Sequence, residues 1–100
     1  MGESTKVAKS TKTRVSGFIQ FPSETDLDLI RNALKDHIQL THEEPGCLRF
    51  RVIEDETTPG RFTVDEKFES QAAFEHHQER THESAWAQVS AQAERQYSFH

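Results

Sequence analysis

Two stretches of alternating apolar and polar residues, joined by one short connection, constrain this chain more than any other feature. Residues 48–52 (LRFRV) and 62–68 (FTVDEKF) both alternate with a period of two. That period is typical of a strand with one apolar face. The connection between them, residues 54–60, carries Pro59-Gly60 near its end, which indicates a turn. A connection this short predicts that the two strands form an antiparallel hairpin.

The segments before the hairpin predict a strand followed by a helix. Residues 15–21 (VSGFIQF) are rich in β-branched and aromatic side chains, and Pro22 ends them. Ser23 is a suitable N-cap for the helix that follows. That helix carries one apolar stripe at helical spacing, made of Leu27, Ile30, Leu34, Ile38 and Thr41. It must end before Pro45-Gly46.

After the hairpin, Ser70 and Thr81 are expected to cap two successive helical segments, so that the second helix is broken in two. Residues 96–99 are expected to form a short last strand. The resulting order, βαββαβ, is that of a ferredoxin-like α+β domain. In that plan both helices cover one face of an antiparallel sheet, and the other face stays open to a partner.

Length and composition bound the organisation of the chain. One hundred residues fit a single domain. Residues 1–13 are polar and lack apolar periodicity, which predicts a disordered N-terminal tail before a domain over residues 14–100. Only 33% of the residues are apolar, a lean supply for a self-sufficient core, so pairing with a second copy is expected.

Charge and cysteine content narrow the class of protein. The net charge of −5 argues against nucleic acid as a partner, because no basic face offsets the acids. The single cysteine, Cys47, excludes an intrachain disulfide and favours a reducing compartment, with the cytoplasm as the expected location. No run of about 20 apolar residues is present, so no membrane span is expected.

Three segments together resemble one known family. Residues 44–50 (EPGCLRF) are similar to its turn from helix to strand, and residues 62–70 (FTVDEKFES) to its third strand. Residues 73–82 (AFEHHQERTH) are similar to its A-F-x-x-H-x-x-x-x-H helix. Their order and spacing also match, over roughly residues 14–99. On this pattern the chain resembles the antibiotic-biosynthesis-monooxygenase group of dimeric α/β-barrel proteins.

The resemblance implies a homodimer in which two sheets close into a barrel, with a pocket between sheet and helices in each subunit. Some members of the family oxidise phenols or quinols with molecular oxygen and no cofactor, and others degrade haem. The haem-degrading members carry Trp where this chain has His77, and their iron-ligating His would fall at Ala87. The resemblance therefore favours the oxygenases, although Phe68 stands where Trp is common.

Three polar residues on expected apolar faces are predicted to be catalytic: His77, Glu66 and His37. Cofactor-free oxygenation needs a base, groups that hold developing charge, and a dry pocket. His77 follows Phe74 by one turn, and His37 lies three residues after Leu34, at positions where quinol-oxidising relatives carry histidine. Glu66 shares the apolar face of its strand, where a carboxylate is costly unless a residue such as His37 or His77 pairs with it. A purely structural role remains open for all three.

Aromatic side chains are predicted to form the substrate pocket: Phe50, Phe62, Phe68, Phe74 and Trp86. His77 and His82 are separated by about 140° around a helix, so they cannot easily bind one ion, and neither a metal nor a cofactor is predicted. Two functions stay open. One is a cofactor-independent monooxygenase acting on a small phenol or quinol. The other is a non-catalytic dimeric module that binds a small hydrophobic or aromatic ligand.

Overall fold

The computed structural model describes residues 12–100, so most of the predicted N-terminal tail lies outside the described residues. Its elements are, in chain order, β1 (Thr13–Gln20), α1 (Leu27–His42), β2 (Cys47–Glu54), β3 (Arg61–Phe68), α2 (Gln71–His82), α3 (Ala85–Val89) and β4 (Glu94–Phe99). Thr13 is buried and pairs with Phe68, so regular structure begins one residue before the expected domain boundary.

The four strands form one antiparallel sheet in the order β2-β3-β1-β4. The predicted hairpin is the pair β2–β3, and the predicted ferredoxin-like α+β plan is confirmed. β4 closes the sheet beside β1, where it approaches closely because Gly17 has no side chain. A Cβ at that position would lie 1.9 Å from the carbonyl oxygen of Gln96. This close pairing joins β4 to the sheet as the edge strand next to β1.

The first helix begins later than its sequence suggested. Asp26 is its N-cap, and the side chain of Asp26 accepts a hydrogen bond from the Leu29 N–H at 3.2 Å. The prediction of Ser23 as the cap is wrong, because the chain first makes a turn in which the Thr25 N–H donates to the Pro22 carbonyl.

The predicted break in the second helix is confirmed, with one change in its caps. Ser70 caps α2 as expected, but Ser84, and not Thr81, caps α3, since Thr81 still belongs to the last turn of α2. The break lets α3 turn so that Trp86 enters the core. None of the helices formed by residues 12–100 is both long and apolar enough to cross a membrane.

The core consists of two apolar clusters between the sheet and the helices. The larger contains Ile19, Phe21, Ile30, Leu34, Phe62, Val64 and Trp86. The smaller contains Val15, Phe50, Phe68 and Phe74. The side chain of His37 bridges them, because it stacks on Trp86 and meets the Phe50 ring edge-on. Polar groups therefore lie at the junction of the two clusters.

The opposite face of the sheet carries a different set of residues. Arg49, Arg51 and Asp65 point outward from it, and Arg49 forms an exposed ion pair with Asp65 at 3.2 Å. Ile53 is exposed beside them at 54%. Leu48 is 50% exposed and does not share the buried face of Phe50 as the alternation predicted, because the pairing of β2 with β3 shifts register between Cys47 and Arg49. Among residues 12–100, no helix covers this face.

Candidate functional site

A cavity of about 340 Å³ opens between the sheet and the two helices α2 and α3. Its volume lies near the lower end of the range for small-molecule pockets. All four strands and all three helices contribute to its wall. Its lining includes the polar and aromatic residues His37, Phe50, Glu66, His77, Trp86, Arg95 and Tyr97.

The five aromatic residues predicted for the pocket fall into two groups. Phe50, Phe74 and Trp86 line the cavity. Phe62 and Phe68 do not line it. They are core residues, so their assignment to the pocket is corrected. Phe62 packs edge-on against Phe21, and Phe68 packs against Phe74, so that almost no surface of either side chain remains free.

Glu66 lies in the middle of β3 on the helix-covered face, as the alternation of its strand predicted. Its cross-strand neighbours are Val15 on β1 and Phe50 on β2, both buried. Side chains opposite one another in a sheet share a face, so the carboxyl is flanked by hydrocarbon on both sides. With 8% exposure, this burial raises the pKa of Glu66 to about 7, and the nearby carboxylate of Glu44 adds to the effect.

His77 projects from α2 into the same space and has a carboxylate on each side. Its Nδ1 lies 3.1 and 3.2 Å from the two oxygens of Glu44. Its Nε2 lies 4.0 Å from Oε1 of Glu66 and 3.5 Å from the Thr81 hydroxyl. Burial lowers the pKa of His77 and outweighs the opposing effect of Glu44. Because an ionised carboxylate can only accept, a neutral His77 donates from Nδ1 and leaves the lone pair on Nε2.

Glu44 is the site residue that the sequence reasoning did not identify. It lies in the turn after α1, outside any periodic segment, yet its side chain is buried. Nε of Arg80 forms an ion pair with it, and Nη2 of Arg80 donates to the Thr41 hydroxyl at 3.0 Å. Thr41 in turn donates to the His37 carbonyl at 2.8 Å. These contacts tie α2 to the last turn of α1, and they hold the carboxylate against His77.

His37 is buried more deeply than its place at the edge of the apolar stripe suggested. It is 3% exposed, and its ring stacks on Trp86 with the ring centroids 5.5 Å apart. Burial, with the nearby positive charge of Arg80 and the neighbouring His77, lowers its pKa to about 3. The ring is therefore neutral at working pH. Among residues 12–100, its Nδ1 has no hydrogen-bond partner.

The three predicted residues thus meet in one cavity, in protonation states suited to proton transfer. A neutral His77 with its lone pair on Nε2 can accept a proton, and Glu44 and Glu66 can stabilise the resulting imidazolium. His37 can form a hydrogen bond to a ligand, and Phe50 and Trp86 offer apolar walls. Within residues 12–100, no group of three or more His, Cys, Asp or Glu side chains has the arrangement needed to hold a metal ion.

The fold and site define a ferredoxin-like α+β domain with a polar cavity beneath its helices. The family model described as antibiotic biosynthesis monooxygenase matches residues 14–89, and the chain belongs to that family. Among curated proteins, none matches the sequence significantly.

Solved structures of similar fold cover nearly the whole chain. A proposed antibiotic biosynthesis monooxygenase from Nitrosomonas europaea has a TM-score of 0.80 at 17% identity, over 92% of this chain and 90% of that one. SnoaB, a cofactor-independent oxygenase from Streptomyces nogalater, has a TM-score of 0.75 at 8% identity, over 90% and 91%. A Shewanella oneidensis protein has a TM-score of 0.67 at 23% identity, over 92% and 89%. At these identities the likeness shows the shared fold.

The raised pKa of Glu66 predicts a specific pH dependence of stability. The carboxyl ionises near its ordinary pKa of 4.5 in the unfolded chain but only near 7 in the folded one. Between those values the folded state binds more protons, so this group lowers the free energy of unfolding as pH rises. Relative to Glu66→Gln, the wild type should lose up to about 3 kcal/mol between pH 4.5 and pH 7.5.

Urea unfolding of both proteins across that range measures the difference. Groups that titrate alike in the two proteins, including His37, cancel in the comparison. Two stability curves that run parallel from pH 4.5 to pH 7.5 would show that Glu66 ionises normally in the folded protein, against this description of the site.

Proposed function

We propose that this protein is a cytoplasmic, cofactor-independent monooxygenase that oxidises a small phenol or quinol with molecular oxygen. The observation that carries the proposal is the contact of His77 with Glu44. It directs the second ring nitrogen toward Glu66 at the cavity wall. The fold it shares with SnoaB, which is described as a cofactor-independent oxygenase, is consistent with it.

His77 is the base in this proposal. A phenolic hydroxyl has a pKa of about 10, so at neutral pH it needs a base within hydrogen-bond reach to become a phenolate. Nε2 of His77 accepts the proton. The imidazolium then lies between the carboxylate of Glu44 and the carboxyl of Glu66, whose oxygen atoms stabilise the positive charge. The neutral ring of His37 forms a hydrogen bond to the substrate oxygen and orients the ring.

Oxygen chemistry follows from the anion. The phenolate passes one electron to O₂, and the resulting superoxide and substrate radical combine at a ring carbon to form a peroxide. The peroxide takes the proton back from His77. Loss of water then leaves a new carbonyl, so one oxygen atom enters the product and the other becomes water. A phenol gives a quinone by this route, and a quinol gives a hydroxyquinone.

The cavity walls support this reaction by excluding water. Phe50 and Trp86 are buried and offer apolar surface to an aromatic ring, and Val15 and Val64 continue the apolar lining. A dry site strengthens the electrostatic interaction between the imidazolium and its carboxylates. It also protects a reactive anion from premature protonation.

A homodimer through the outer face of the sheet is part of the same proposal. The family plan supports it, as does the exposure of Leu48 and Ile53 beside Arg49, Arg51 and Asp65 on a face that no described helix covers. Burial of apolar side chains favours association, and the surrounding charges set its specificity. Two sheets meeting in this way close into the barrel that the family resemblance implies.

Replacement of His77 tests the catalytic role directly. His77→Ala should lower quinol oxidation by about 10²-fold to 10⁴-fold, because a positioned general base contributes that much. The matched control is His76→Ala, which removes an exposed histidine one position earlier on the same helix. Oxygen consumption with hydroquinone, corrected for the rate without protein, measures both variants.

Two outcomes would contradict the proposal in different ways. If the wild type consumes no oxygen with simple phenols or quinols, the non-catalytic ligand-binding module becomes the better description. If His77→Ala keeps the wild-type rate while remaining folded, oxidation occurs without the base assigned here.

The dimer is tested by placing a charge on its proposed interface. Ile53→Lys should give a single-subunit mass in sedimentation at micromolar concentration, because a lysine would be buried without a partner. Leu40→Lys, a change of an equally exposed leucine on α1, should stay dimeric. A wild type that sediments as a single subunit would disprove the dimer.

A further inference from the structure

The last strand brings a second polar region to the cavity. In the register of β4 with β1, Arg95 lies opposite Ile19, and Tyr97 lies opposite Gly17. Because Ile19 is buried on the helix-covered face, Arg95 and Tyr97 point to that face as well. Both line the cavity, and both remain partly open to solvent, which places them at its mouth.

The guanidinium of Arg95 is held in place but not neutralised. It donates to the Ser90 carbonyl at 3.1 Å, to the Ser90 hydroxyl at 2.7 Å and to the Ala93 carbonyl at 3.3 Å. All three acceptors are uncharged. Within residues 12–100, no carboxylate forms an ion pair with Arg95, whereas Arg49 and Arg80 each have one and Arg31 has two. A fixed cation thus faces the cavity of a protein whose net charge is −5.

The inner end of the cavity offers a complementary set of groups. His37 is buried, and its Nδ1 has no hydrogen-bond partner within the described part of the chain. A buried polar atom without a partner is rare in folded proteins, and a ligand hydroxyl would satisfy it. The cavity therefore has a hydroxyl-binding end at His37 and His77 and an anion-binding end at Arg95.

We propose that the ligand of this cavity is an aromatic hydroxy acid, whose hydroxyl lies near His37 and whose carboxylate is bound by Arg95 with the Tyr97 hydroxyl beside it. The aromatic hydroxyl rests on the proposed function, and the carboxylate is the new element. An arginine binds a carboxylate through parallel hydrogen bonds that are stronger than neutral ones. Arg95 and Tyr97 both lie beyond residues 14–89, so the family match assigns them no role.

Two probes that differ only in the carboxylate test this inference. Hydroquinone and 2,5-dihydroxybenzoate share one ring and the same para pair of hydroxyls. Calorimetric titration without oxygen measures binding and prevents turnover. The wild type should bind 2,5-dihydroxybenzoate about tenfold or more tightly than hydroquinone, since hydrogen bonds between charged groups are about twice as strong as neutral ones.

Variants assign the preference to Arg95. Arg95→Gln should remove the preference, so that the affinities for 2,5-dihydroxybenzoate and hydroquinone become about equal. Arg95→Lys keeps the charge and should keep part of the preference. This variant still tests the inference if Arg95→Gln unfolds because it loses the hydrogen bonds to Ser90. The matched control is Arg31→Gln, which removes the same charge from a surface ion pair on α1 and should retain the full preference.

Equal affinity for the two probes in the wild type, or binding of neither, would overturn the inference. So would an equal loss of preference in Arg95→Gln and Arg31→Gln, because the effect would then belong to net charge alone. Oxygen consumption separates this result from the proposed function. If binding shows a preference that depends on Arg95 but no probe is oxidised, the inferred ligand is supported and the monooxygenase is rejected. If both probes are oxidised but neither is preferred, the monooxygenase is supported and the inferred ligand is rejected.

Discussion

The carboxylate of Glu44 lies buried between the last turn of α1 and the inner face of α2, and the position of His77 depends on it. An isolated buried carboxylate would be too costly to retain. Arg80 supplies the opposite charge, and its further bond to Thr41 anchors that charge to the neighbouring helix. The carboxylate holds the Nδ1 side of the ring and turns the other nitrogen toward the cavity.

Burial determines the protonation of the other two groups of the site, Glu66 and His37. Glu66 sits between Val15 and Phe50, with hydrocarbon on both sides and another carboxylate nearby, so its neutral form is favoured. His37, packed on Trp86, is neutral for the corresponding reason, since burial penalises its cation. The inner cavity therefore holds neutral groups that can exchange protons, while permanent charge is confined to the Glu44–Arg80 pair behind it and to Arg95 at its mouth.

Much of this arrangement could be predicted from periodicity, and the failures have two causes. Alternation along β3 assigned Glu66 to the covered face, and helical spacing assigned His77 to it, because period and burial coincide within regular elements. Glu44 and the cap Asp26 lie in turns, where no period exists to assign a face. Phe62 and Phe68 share the face of Glu66, but neither the packing of Phe62 on Phe21 nor that of Phe68 on Phe74 can be read from alternation.

Whether His77 can act as a base depends on the protonation of its ring, and nitrogen NMR measures that protonation. With ¹⁵N-labelled protein at pH 7, the account predicts a neutral His77 with its proton on Nδ1 and an unprotonated Nε2. In Glu44→Gln, the ring should lose this single tautomer, because an amide can either donate to or accept from Nδ1. A proton on Nε2 in the wild type, or an imidazolium at pH 7, would contradict the account, because His77 could then not accept a proton from a ligand in the cavity.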